Sequence, residues 1–146
     1  MSSWRAMGRL GCVTILLALS ACGATRPNSF SQTIGPGWTS IEVREDVGRD
    51  RAWTTVFGLL ARSFDIEFSD RQDGYLRTAW SWAWGGMNTQ TYRVRVTTLL
   101  LDDGRKLDLR TEAQFLSQGI WISGTDTSLL QSLKSDIMGT IGRTTR

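Results

Sequence analysis

The chain has 146 residues, which suits one domain and leaves no room for two of ordinary size. Its 17 basic and 14 acidic residues give a net charge of +3, and the two signs are interspersed, so the basic balance is not a nucleic-acid footprint. Histidine is absent, which removes the usual general base near neutral pH and the commonest metal ligand.

Residues 1–9 carry Arg5 and Arg9 and no acid. An apolar run follows over Leu10–Leu19, too short to span a bilayer, which takes about 20 apolar residues. Ser20 and Ala21 are small residues, and the first cysteine after them is Cys22. The run Leu19-Ser20-Ala21-Cys22 resembles the lipobox of a bacterial lipoprotein signal peptide. That resemblance implies cleavage after Ala21 and a lipidated Cys22 as the mature N-terminus. An ordinary secretory signal cut near Ala21 is the alternative. A multiply acylated cysteine holds its protein on the membrane stably, where a single chain does not. Gly23, where Asp would favour inner-membrane retention in similar lipoproteins, implies the periplasmic face of the outer membrane. Inner-membrane anchoring and cell-surface exposure stay open.

With residues 1–21 removed, 125 of the 146 residues remain, carrying 15 basic and 14 acidic side chains once Arg5 and Arg9 are gone. Cys12 would leave with the signal and Cys22 would be blocked by lipid. No thiol would then remain for a disulfide, a nucleophile or a zinc site.

The segment after Cys22 as far as Trp38 holds both prolines, Pro27 and Pro36, among Gly, Ser and Asn, and reads as a flexible linker. The globular domain is expected over 39–146. Ser40–Arg44 alternates as a short strand. Asp46–Arg62 reads as a helix, with Ala52, Trp53, Val56, Leu59 and Leu60 inside about 120° of arc.

Alternation then marks four strands. The first carries Phe64, Ile66 and Phe68. The second places Leu76, Thr78, Trp80, Trp82 and Trp84 on one side. The third carries Tyr92, Val94, Val96, Thr98 and Leu100, and the fourth Leu107, Leu109, Thr111 and Ala113. Asp73-Gly74, Gly85-Gly86 and Asp102-Asp103-Gly104 supply turn chemistry between them. Thr125 or Asp126 can cap a last helix whose face is Leu129, Leu130, Leu133, Ile137 and Ile141.

The order β-α-β-β-β-β-α predicts an α+β fold: a single antiparallel sheet of about five strands with two helices packed on one face. The other face alternates Arg93, Arg95 and Arg110 with Asp65, Glu67, Asp108 and Glu112. It reads as solvated and laced with cross-strand ion pairs.

Lipobox, linker and this element order together resemble the helix-grip domains of the BamC family of lipoproteins, which belong to the outer-membrane β-barrel assembly machinery. The local likeness lies in Arg51-Ala52-Trp53, Ser63-Phe64-Asp65-Ile66 and Asp73-Gly74-Tyr75-Leu76-Arg77-Thr78-Ala79-Trp80, and extends over about residues 39–141. It implies a helix-grip fold and an accessory role in outer-membrane assembly. The lipopolysaccharide-assembly lipoproteins, which also pair helices with a sheet, are similar in outline.

Trp80 and Trp53 are expected in the core beneath the helices, as bulky aromatics bury large areas. Trp82 and Trp84 divide between core and an anchor for a partner or an acyl chain. Gly119-Ile120-Trp121-Ile122 falls between the last strand and the last helix. It folds over the sheet edge, continues the strand, or presents Trp121 as a docking knob.

Asp70, Asp73, Asp102 and Asp103 are turn acids without calcium-loop spacing. No cofactor and no metal site is expected, and no nucleic acid as partner. The leading expectation is a non-enzymatic, membrane-anchored lipoprotein acting as a periplasmic interaction module. Cys22 is its membrane attachment and an envelope protein its partner. The alternative is a lipid or small-amphiphile binder with a pocket between helices and sheet, lined near Trp82, Trp84 and Trp121. A carboxylate-dependent hydrolase ranks last, because it needs two acids converging in one cleft about 5–9.5 Å apart.

Overall fold

The computed structural model describes residues 26–82 and 90–143. Along the chain these form strands β1 (Phe30–Gln32) and β2 (Thr39–Glu42), helix α1 (Arg49–Ala61), strands β3 (Ile66–Asp70), β4 (Tyr75–Thr78), β5 (Tyr92–Leu101), β6 (Lys106–Ser117) and β7 (Ile120–Asp126), and helix α2 (Thr127–Thr140). All pairings between these strands are antiparallel, in the order β1-β7-β6-β5-β4-β3. The long strand β6 is shared on its second side: β2 pairs with Lys106–Leu109 and β7 with Ala113–Ser117.

The period-2 pattern of β5 and β6 sets the two faces of the sheet. Val94, Val96 and Leu100 of β5, with Leu107, Leu109, Ala113 and Phe115 of β6, are buried on one face. Ala52, Val56 and Leu60 recur every four residues along α1, and Leu129, Leu133 and Ile137 do the same along α2. Both helix stripes join the same buried cluster as that face, with Trp53 and Leu59 packed against it. Burying each such aliphatic side chain stabilises the fold by roughly 1.5–3 kcal/mol.

Helix α2 begins where its cap was expected: the Asp126 carboxylate accepts from the Leu129 backbone N–H (2.9 Å). Helix α1 starts at Arg49 rather than Asp46. The preceding residues form a turn in which Val47 donates to the Arg44 carbonyl (3.1 Å) and buries its side chain.

The sheet has seven strands among the described residues, where alternation predicts about five. One addition lies inside the stretch read as a linker. Phe30 of β1 stacks edge-on against Tyr92 (6.1 Å) and near Phe115 (6.2 Å). It fits only because its neighbour is Gly124: a Cβ there would meet the Ser31 carbonyl and lie 2.7 Å from the Phe30 ring. The other addition is β7. Gln118 (φ 50°) and Gly119 (φ 80°) make a two-residue turn that sends the chain back along β6 with Ser117 opposite Ile120.

The largest departure lies after β4. Arg77 pairs with Thr97, yet Ser81 pairs with Val94, so four steps on one strand match three on the other. The extra residue is a bulge. Val96 N–H donates to the Thr78 hydroxyl (3.0 Å), and Ala79 N–H to the Asp65 carbonyl (2.8 Å). A one-residue shift exchanges the faces of everything beyond it. Ser81 therefore stands opposite core-facing Val94, and Trp80 and Trp82 face away from the helices. Trp80 is not under the helices as its alternation predicts.

Candidate functional site: a tryptophan–arginine face

The face opposite the helices is built from alternate residues of β4, β5, β6 and β7. Because β5 and β6 are in register, Arg93 lies opposite Gln114 and Arg95 opposite Glu112. Arg95 Nε donates to Glu112 Oε2 (2.9 Å), and Arg110 reaches the same oxygen at 3.8 Å. Lys106 pairs with Asp108 (3.5 Å) and Arg77 with Glu67 (2.9 Å). Arg95–Glu112 and Arg77–Glu67 are the expected cross-strand ion pairs, whereas Lys106–Asp108 and Arg110–Glu112 run along β6.

Arg93 differs from its neighbours. Its Nε donates to the neutral Gln114 Oε1 (2.7 Å), not to a carboxylate. Its guanidinium lies over three indoles, 4.4 Å from the Trp121 ring, 4.8 Å from Trp80 and 5.3 Å from Trp82. Arg95 also lies over Trp80 at 4.6 Å, and Arg110 lies over Trp38 at 4.6 Å. Each contact falls within the range where the negative face of an indole attracts a cation, about 0.5–1 kcal/mol at exposed sites. The Trp82 and Trp121 rings are 5.8 Å apart and tilted by 59°.

Of the residues singled out in the sequence, Trp82 and Trp121 are thus brought together. Trp82 is 42 % exposed, and Trp121 is half-buried. Cys22 and Trp84 lie outside the described residues. Trp121 sits within β7, neither in a loop nor on a knob. Arg93 completes this cluster, and Trp38 lies against Arg110 on the same face; the sequence marks neither as a candidate site residue. Arg93 could have been found from its place alternating with Arg95, but its partners depend on the bulge.

Five cations (Arg77, Arg93, Arg95, Lys106, Arg110) and three carboxylates (Glu67, Asp108, Glu112) make up this ionic layer, an excess of two positive charges among these eight side chains. Open clefts border it. One of about 470 Å³ lies beside Phe64, Trp80 and Trp82, and one of about 700 Å³ beside Ile34, Trp121 and Ile122. A ligand pocket between helices and sheet cannot be lined by Trp82 and Trp121, since both face the other way.

On the helix side, the Tyr92 hydroxyl donates to Asp126 Oδ2 (2.5 Å), which also accepts from Ser29 Oγ (2.9 Å). Burial, and then the Asp126 carboxylate, push the Tyr92 phenol far above its ordinary value. It stays protonated and acts as a fixed donor that ties β5 to the cap of α2. The Asp70 carboxylate accepts from the backbone of Gln72 (2.8 Å) and Asp73 (3.0 Å) and closes a turn. Among the described residues no group of three or more acidic, cysteine or histidine side chains could hold a metal ion. No described helix is long and apolar enough to cross a membrane.

The chain matches no protein-family model and no curated protein.

Proposed function

We propose that the protein is a non-enzymatic lipoprotein, anchored through Cys22 at the periplasmic face of the outer membrane. Its folded domain is an interaction module whose docking surface is the tryptophan–arginine face. The observation that carries the reading is Arg93, held over Trp80, Trp82 and Trp121 on the sheet face that the helices leave open. Rigid indoles and arginines are the side chains that dominate protein interfaces. The partner on this reading is an envelope protein, and the role is accessory to outer-membrane or envelope assembly. Support for the compartment comes from the Leu19–Cys22 lipobox, and support for a helix-grip arrangement from two helix stripes sharing one buried cluster with the sheet.

The early start of the fold shortens the tether. Phe30 of β1 is eight residue steps from Cys22, and eight steps reach at most about 26–29 Å. On this reading the domain stays close to the headgroups instead of swinging on a linker that extends to Trp38.

The test is crosslinking in native membranes followed by mass spectrometry, with Arg95→Glu and Cys22→Ala in parallel. The reading expects crosslinks to an envelope protein on this face. Arg95→Glu should weaken them, and Cys22→Ala should release the chain from the membrane fraction. A partnerless, monodisperse protein with an unmodified Cys22 contradicts it.

A further inference from the structure

The Trp82–Trp121 end of this face differs in shape from the rest. Ile34 is fully exposed at a bend, and Ile120, beside the Gln118–Gly119 turn, keeps 69 % of its surface in solvent. Ile34 shares an open cleft with Trp121 and Ile122, and Ile120 precedes Trp121 in β7. Two branched aliphatic side chains therefore stand out from chain bends at this end of the sheet: Ile34 beside Trp121, and Ile120, which by the alternation of β7 lies on the face opposite Trp121. A single exposed aliphatic residue calls for no explanation, but a group of them does.

Geometry and charge select the occupant. A small ligand is held in a concave site, whereas these side chains project. Projecting aliphatics fit a medium that yields to them, and the acyl boundary of a bilayer is such a medium. Indoles are enriched at the headgroup level, where one part of the ring is apolar and the N–H is hydrated. Arg93, bonded through Nε to a neutral glutamine and not to a carboxylate, is the cation at this end that suits an anionic headgroup phosphate.

We infer that this end of the sheet rests on an anionic phospholipid surface. Ile34 and Ile120 enter the headgroup–acyl boundary, Trp82 and Trp121 sit at headgroup level, and Arg93 serves the phosphates. The remainder of the face, from Trp80 to Trp38, stays available to the protein partner. The inference rests on reading the tryptophan–arginine face as the binding surface.

The experiment is hydrogen exchange on the full chain mixed with vesicles of phosphatidylcholine alone or containing phosphatidylglycerol. Its residue-level readout separates the sheet end from any binding by residues 1–21. Exchange around 117–121 and 33–35 should slow with phosphatidylglycerol and recover at high salt. Ile34→Glu, at a fully exposed position that leaves the fold intact, and Ile120→Glu should each abolish the slowing. Arg93→Gln should weaken it about fivefold. Equal slowing on neutral vesicles, no slowing at this end, or slowing confined to other segments overturns the inference. If the sheet end stays unchanged while crosslinks still map to Arg95 and Arg110, only the lipid contact is wrong. If the crosslinks also avoid the face, the parent reading falls with it.

Discussion

Ser81 and Val94 exchange both backbone hydrogen bonds (2.8 and 2.9 Å), one residue out of the register that pairs Arg77 with Thr97. This single offset turns Trp80 and Trp82 from the helix-covered face to the open one. There they meet Arg93 and Arg95 instead of the core.

The placement of Trp80 is testable by stability. In the core, Trp80→Ala would cost about 3–5 kcal/mol. Half-buried and in contact with two guanidinium groups, it should cost about 1–2 kcal/mol, the sum of two exposed cation–π contacts. Urea denaturation measures the difference. Leu76→Ala, on the buried side of β4, serves as the core reference at about 2–5 kcal/mol.

Asp126 joins three parts of the chain, accepting from Leu129 N–H, Tyr92 Oη and Ser29 Oγ. Asp126→Ala removes the α2 cap and leaves the buried Tyr92 hydroxyl unpaired, so a loss of about 2–4 kcal/mol is expected. Asp126→Asn, which keeps an acceptor, should recover part of it. A loss below about 0.5 kcal/mol in denaturant melts would show that the network is dispensable.

The raised Tyr92 phenol also sets a pH dependence. In the unfolded chain tyrosine ionises near its ordinary value of about 10, while in the fold Tyr92 keeps its proton well beyond that. Above about pH 10 the folded state thus binds more protons than the unfolded one, and stability falls as pH rises. The contribution is complete below that pH. Tyr92→Phe should flatten the alkaline decline, and an unchanged decline would assign it to other groups.

Substitutions at Gly124 within β7 and at Gln118 in the β6–β7 turn give opposite outcomes. Gly124→Ala should push Phe30 off the sheet, costing about 1–3 kcal/mol and speeding hydrogen exchange across β1. Gln118→Asn should stabilise by about 0.5 kcal/mol, because Asn tolerates the φ of 50° that Gln118 adopts before Gly119.

Legibility in the sequence followed the length of the hydrophobic pattern. Long patterns read correctly: Val94–Leu100 and Leu107–Ala113 as strands, Ala52–Leu60 and Leu129–Ile137 as helix faces, Asp126 as a cap. Strand β1 has three residues among glycine and proline, and only the aromatic pocket of Tyr92 and Phe115 recruits it. Strand β7 breaks its alternation with Gly124, whose reason is Phe30, nearly a hundred residues away. The bulge at 78–81 is held by Thr78 and Asp65 contacts that no local pattern records. Trp82 and Trp121 were therefore legible as candidates, while the arginine that joins them and the face they share were not.

The most direct measurement is site-specific photocrosslinking in native membranes from two positions of similar exposure, Trp38 on the tryptophan–arginine face (43 %) and Phe57 on the outside of α1 (36 %). The account predicts discrete protein adducts from the Trp38 position and none from Phe57. Adducts from Phe57 alone would contradict it.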